Sequence, residues 1–205
     1  MPIILITGVS TGIGRACAEL FARDGWKVIG TVRDPERYSG TAWPGEVILE
    51  RVDLAEPGAG RRLADRVIAA HGVPDVLLNN AGILHFGPVE DEPSHVAEEV
   101  FRVNVLEPGF VETAIWDKSV RSRGESPYEG SGPYARAMAT MAGFEGSIAN
   151  RTTPQAAAEE IRAAILDPSD RLRYPVAAYA GALIHARRLI GELRVMRFFH
   201  KRGMG

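Results

Sequence analysis

The sequence predicts a doubly wound parallel α/β sheet, and three observations carry that expectation. Short apolar runs alternate with stretches of helical period, a glycine-rich turn joins the first strand to the first helix, and no repeat or low-complexity tract interrupts the alternation. With 205 residues and 45% hydrophobic content, the chain suits a single globular domain with a sizeable core.

The elements follow in order. Ile3-Ile4-Leu5-Ile6 is apolar at every position, as a parallel strand buried on both faces must be. A helix is expected over roughly 12–23, with Ala16, Leu20 and Phe21 in its apolar stripe. Asp24-Gly25 punctuates the turn into a second strand over 26–31. A loop rich in proline, glycine and charge then leads through Pro44-Gly45 to a third strand over 46–52, ended by Asp53. The next helix places Leu63, Val67 and Ile68 on one face, and residues 74–79 form the fourth strand. Farther on, 154–166 has helical period with Ile161 and Ile165 on its apolar side.

The turn after the first strand is where a phosphate would sit. Gly8 allows a sharp reversal, Gly12 lets the backbone approach a pyrophosphate, and Gly14 lets the helix pack close to the strand. Ser10 and Thr11 add hydroxyl donors, and Ile13 lies between the last two glycines. Just past the second strand, Arg33 occupies the place where a dinucleotide fold distinguishes its ribose. A guanidinium there pairs with a 2′-phosphate, which favours NADP(H) over NAD(H), whereas the neighbouring Asp34 is able to accept from an unphosphorylated ribose.

Composition narrows the alternatives. The lone cysteine, Cys17, excludes an internal disulfide, and no metal-ligand cluster or Cys/His pair is present. The first apolar run is too short for a signal peptide or membrane span, and no 18-residue apolar stretch occurs later, so a soluble cytoplasmic protein is expected. Residues 181–205 carry six Lys/Arg against one Glu, so the net charge of −2 conceals a basic end. Leu183, Ile190, Leu193 and Met196 recur there at near-helical spacing among Arg187, Arg188, Arg194 and Arg197. That pattern fits a terminal helix packed on the domain, and also contact with a membrane surface or an acidic partner. Nucleic-acid binding has no support in the sequence.

Thr7-Gly8-Val9-Ser10-Thr11-Gly12-Ile13-Gly14 and Asn79-Asn80-Ala81-Gly82, in this order and spacing, resemble the short-chain dehydrogenase/reductase family, whose fold is a Rossmann-type sheet. The resemblance implies cofactor contacts from Gly8, Ser10, Thr11, Gly12, Ile13 and Gly14, and from Asn80, Ala81 and Gly82. It assigns Asp53-Leu54 to the adenine, the carboxylate accepting from the exocyclic amine. Within Phe101-Arg102-Val103-Asn104-Val105, Asn104 matches the asparagine of the family's catalytic tetrad, which orders a proton-relay water. Glu107-Pro108-Gly109-Phe110-Val111-Glu112-Thr113 looks like the loop lining the nicotinamide pocket, which implies contacts from Pro108, Gly109, Val111 and Thr113. Residues 172–176 look like the family's last strand.

Between Leu106 and Glu107 the pattern departs from the family. Two strands and one long helix, with the catalytic serine and the Tyr-x-x-x-Lys pair, are missing there, on the order of 50–70 residues by ordinary element lengths. The five tyrosines, Tyr38, Tyr128, Tyr134, Tyr174 and Tyr179, are followed four positions on by Ala42, Gly132, Met138, Ala178 and Leu183. None is lysine, so no ammonium sits one turn from a phenol to lower its pKa. Tyr134, in a segment like the family's substrate loop, and His85 and His95 are the remaining candidate acids.

The expected organisation is a single domain over 1–205, with a cofactor-binding half at 1–105 and a substrate-loop and C-terminal part at 107–205. The resemblance implies an NADP(H)-dependent oxidoreductase acting on a small-molecule carbonyl or alcohol, for which Phe86, Phe110, Trp116 and Phe144 suit an apolar substrate. The alternatives are an NADP(H)-binding protein without turnover and an internally deleted form of an enzyme. A homo-oligomer is possible, but the family's interface helix is the missing one.

Overall fold

The computed structural model describes residues 1–83, 151–169 and 176. Four strands, β1 (Ile3–Ile6), β2 (Lys27–Val32), β3 (Val47–Arg51) and β4 (Val76–Leu78), form one parallel sheet in the order β3-β2-β1-β4. Helices α1 (Gly12–Arg23) and α2 (Ala59–His71) connect them, a single 3-10 turn spans Pro35–Tyr38, and α3 (Pro154–Leu166) comes later in the chain. From β1 the chain steps outward to β2 and β3, then crosses back to place β4 on the other side of β1. The connections therefore diverge at the C-terminal ends of β1 and β4, where sheets of this kind open a crevice.

Alternation along the strands divides the core between two faces. Ile4, Ile6, Val28 and Val32 point to one side, where they meet Ile13, Ala16, Cys17 and Phe21 of α1. Leu5 and Ile29 point to the other, against Leu63 and Val67 of α2. This double burial is why the first strand contains no polar residue. Trp26 closes the end of the first layer edge-on to Phe21, with ring centroids 5.1 Å apart, and the Arg15 guanidinium lies 4.6 Å from the Trp43 ring centroid.

Helix α3 joins the α1 face through Ala157, Ala158 and Ile161, with Ile165 half-buried beside them. The small alanines allow close approach. Its start is fixed by Pro154 in the first turn and by Thr153, whose Oγ1 accepts from the Ala156 amide at 3.2 Å. Arg162 Nε donates to Asp24 Oδ2 at 2.5 Å, tying α3 to the end of α1 across 138 residues. Val176, half-buried, packs against the same cluster.

Two expectations need correction. Ile68 does not share the buried face of α2 with Leu63 and Val67; it is 48% exposed. In a helix lying over a sheet of this width, only a narrow stripe meets Leu5 and Ile29, and a third apolar residue one position past Val67 rotates out of it. The second strand starts at Lys27, because Trp26 turns into the α1 face rather than joining the ladder. Residues 172–175 of the expected last strand, the basic C-terminal pattern and the boundary near residue 106 lie outside the described residues.

Cys17 is wholly buried, and burial pushes its thiol up to about 12. It is a protonated core residue at neutral pH, unable to serve as a nucleophile.

Candidate functional site

The crevice is built on two buried threonines, Thr7 and Thr31, at the C-terminal ends of β1 and β2. Thr7 Oγ1 accepts from the amides of Asn80 and Ala81, both at 2.9 Å, while the Thr7 amide donates to Leu78 O at 3.0 Å. Asn80 returns the contact: its Nδ2 donates to Thr7 O at 2.9 Å and to Gly8 O at 3.0 Å. On the other side, Thr31 Oγ1 accepts from the Gly8 amide at 3.0 Å and Thr31 O accepts from the Val9 amide at 3.0 Å. The turn after β1 is thus bonded to β4 on one flank and to β2 on the other. The amides of Thr7, Gly8 and Val9 and the carbonyls of Thr7 and Gly8 are thus satisfied within the protein, which fixes the entry of α1.

Two glycines make this lattice possible. Gly8 has φ of 75°, and a Cβ there would lie 2.8 Å from the Ala81 Cα. A Cβ on Gly14 would meet the Asn80 side-chain amide and the Gly8 carbonyl oxygen. Gly14 therefore lets α1 approach the backbone just past β1, as expected of it, and also leaves the space that the Asn80 side chain occupies. The Asn80 side chain joins the turn after β4 to the turn after β1.

Beyond this lattice the first turn of α1 faces the crevice. Its leading amides have no acceptor within the helix, it carries no acidic side chain, and its dipole favours an anion. Thr11 enters the helix with extended backbone and does not cap it through its hydroxyl. Gly8, Ser10, Thr11, Gly12, Ile13 and Gly14 from one turn, and Asn80, Ala81 and Gly82 from the other, are brought together here.

Arg33 stands exposed immediately past β2, and among the described residues no carboxylate or carbonyl pairs with its guanidinium. Asp53 stands past the end of β3, where its Oδ1 accepts from the Ala55 amide at 3.0 Å, and Leu54 is half-buried beside it. These residues lie on the adjacent strand ends, where an adenosine extending from the α1 turn would reach. A phosphate-bearing dinucleotide fits this donor set: helix amides without acid for the pyrophosphate, a cation for a further phosphate, and an acceptor for an amine. Asn104, Pro108, Gly109, Val111 and Thr113 lie outside the described residues, as do His85, His95 and Tyr134.

Thr7 and Thr31 were not singled out by sequence. The available signal is a buried hydroxyl at the C-terminal end of an apolar strand, one position past β1 for Thr7 and one before the end of β2 for Thr31, where it must find a partner. Thr31→Val keeps the shape but leaves the Gly8 amide without its acceptor. It is expected to cost ~1–3 kcal/mol, seen as a lowered denaturant midpoint with unchanged slope. An unchanged midpoint would show that water replaces the hydroxyl.

The family model described as short chain dehydrogenase matches residues 2–124. The chain is similar to Probable oxidoreductase EphD of Mycobacterium tuberculosis, 35% identical over 113 residues, which is 50% of this chain and 18% of the relative. It is also similar to Dehydrogenase/reductase SDR family member 7B of Bos taurus, 30% identical over 132 residues, which is 59% of this chain and 41% of the relative. The chain thus aligns with less than half the length of either. A short-chain dehydrogenase from Streptomyces avermitilis, known from its crystal structure, has the same fold at a TM-score of 0.68 and 22% identity, over 97% of this chain and 98% of the other.

Proposed function

Because the chain belongs to the short chain dehydrogenase family, we propose that it binds NADP(H) in the crevice between the turns after β1 and β4, and that it acts as an oxidoreductase on a small-molecule carbonyl or alcohol. The observation that carries the cofactor reading is Arg33: an exposed guanidinium with no described partner, at the strand end next to an acid-free helix N-terminus. A bound nicotinamide dinucleotide would supply the hydride to a carbonyl or accept it from an alcohol. The residues of this chain hold it, with the α1 amides and Ser10 and Thr11 at the pyrophosphate, Arg33 at the 2′-phosphate, Asp53 and Leu54 at the adenine, and Asn80, Ala81 and Gly82 along the crevice. Asn104, Pro108, Gly109, Val111 and Thr113 complete the nicotinamide end in this reading, with Asn104 ordering a proton-relay water.

Calorimetric titration of the full chain with NADPH and NADH tests the reading. A charge-assisted bidentate contact is worth roughly 1.5–3 kcal/mol, so NADPH is expected to bind about tenfold to a hundredfold more tightly. Arg33→Asp is expected to remove that preference. Equal affinities before and after the substitution would take Arg33 out of the site.

A second reading is favoured by one observation, the absence of any tyrosine followed four positions on by lysine. On this reading the chain binds NADP(H) without turnover, either as a protein of that kind or as an internally deleted form of an enzyme. The substrate proposed for the active form is apolar, from Phe86, Phe110, Trp116 and Phe144, and the compartment proposed is the cytoplasm, where the single buried thiol of Cys17 suits reducing conditions. No described helix is long and apolar enough to cross a membrane.

A further inference from the structure

Three guanidinium groups, those of Arg51, Arg62 and Arg66, line a cavity of about 200 Å³ at the C-terminal end of β3. Two of them are committed locally. Arg62 donates to Glu56 Oε2 at 2.9 Å and to Pro57 O at 2.8 Å, while Arg66 donates to Arg51 O at 2.9 Å and lies 3.6 Å from Glu50 Oε2. Arg51 instead reaches across the sheet to the next strand end. Paired in register with Val32, it donates from Nε to the carbonyl of Arg33 at 3.1 Å, and its Nη2 lies 3.9 Å from Asp34 Oδ1.

We infer that Arg51 is a specificity-determining residue for the 2′-phosphate, acting by neutralising Asp34; the inference rests on the proposed NADP(H) site. Arg33 and Asp34 alone sum to zero charge, as do Glu36 and Arg37 on the 3-10 turn that follows. A dianionic phosphate arriving there would meet donors from Arg33 but no net attraction, and Asp34 would remain available to accept from an unphosphorylated ribose. Arg51 offsets the Asp34 carboxylate from 3.9 Å, so that the charge of Arg33 beside it is no longer cancelled by its neighbour. As a stabilising contact the pair is worth little, because both side chains are well exposed and 3.9 Å is long. Its effect is on which ligand the strand end accepts. The backbone bond to Arg33 holds the charge in place, one residue from the group it assists.

The test is titration of the full chain with NADPH and NADH at low and high salt, for wild type, Arg51→Met, Asp34→Asn and the double variant. Methionine keeps most of the aliphatic stem and removes the charge. Arg51→Met is expected to weaken NADPH binding roughly fivefold to tenfold at low salt, with the difference shrinking as salt screens it. NADH affinity should be unchanged or raised, which also reports that the variant is folded. Asp34→Asn in the Arg51→Met background should restore NADPH binding. An equal fall for both dinucleotides, or no change for either, overturns the role of Arg51 while leaving Arg33 in place. Wild type that binds neither dinucleotide overturns the underlying site as well.

Discussion

Gly14→Ala is expected to abolish binding of NADPH and NADH alike, with Gly14→Val at least as severe. The Cβ suffices, because it enters the space held by the Asn80 amide and the Gly8 carbonyl oxygen. Overpacking of this kind costs ~1–3 kcal/mol, and expelling Asn80 forfeits its bonds to Thr7 O and Gly8 O, each worth ~0.5–1.5 kcal/mol. The turn after β1 would keep only the Thr7 bonds to Leu78 O and to the Asn80 and Ala81 amides, and the strained tether would no longer hold the α1 amides toward the crevice. Calorimetry with both dinucleotides reads the binding, and thermal unfolding reads the stability. Asn80→Ala in the Gly14→Ala background should recover part of the stability, since it removes one of the two clashes; recovery in that double variant identifies Asn80 as the neighbour that matters. Gly60→Ala in α2, where a Cβ meets nothing within 4 Å, is the control and should be neutral or slightly stabilising. Undiminished binding by Gly14→Ala would remove the β1–β4 crevice from the cofactor site.

That prediction could be reached only in part from the sequence. The strands and helices were legible because double burial writes itself as unbroken apolar runs, such as Ile3–Ile6, and because α1 begins where the glycine turn ends. The two turns were legible as motifs. Their joining was not: the partner of Asn80 lies 73 residues earlier, and Thr7 and Thr31 look like ordinary β-branched strand residues until parallel pairing aligns their hydroxyls with the Gly8 and Asn80 amides. Arg51 was hidden for the same reason. As one residue of the third strand it carried no signal, and it matters only because the β2–β3 register sets it against Val32 and within reach of Arg33. Ile68 shows the limit in the other direction, for helical period gives the stripe but not how wide a strip the sheet will cover.

Carbonyl reduction by this chain is expected to fall at least ~10²-fold below that of a family member with the full Tyr-x-x-x-Lys pair, even with NADPH bound. Hydride transfer to a ketone leaves an alkoxide that must be protonated, and a positioned acid of tuned pKa typically contributes ~10²–10⁴-fold. Asn104 can order a water but supplies neither the proton nor the charge, and the three lysines, Lys27, Lys118 and Lys201, are none of them four positions past a tyrosine. Among the described residues, the Cys17 thiol is buried and held protonated at neutral pH, so it offers no substitute. Proximity to the nicotinamide would still leave slow residual transfer. The measurement is NADPH oxidation against a panel of ketones and quinones, with the mass of the assayed protein confirmed so that the Leu106-Glu107 junction is known to be intact. Fast turnover lost on Tyr134→Phe but retained in Asn104→Ala would overturn the expectation and make Tyr134 the acid. Fast turnover insensitive to both would point to His85 or His95, to be separated by His85→Gln and His95→Gln and by an activity that falls as pH rises past the histidine range.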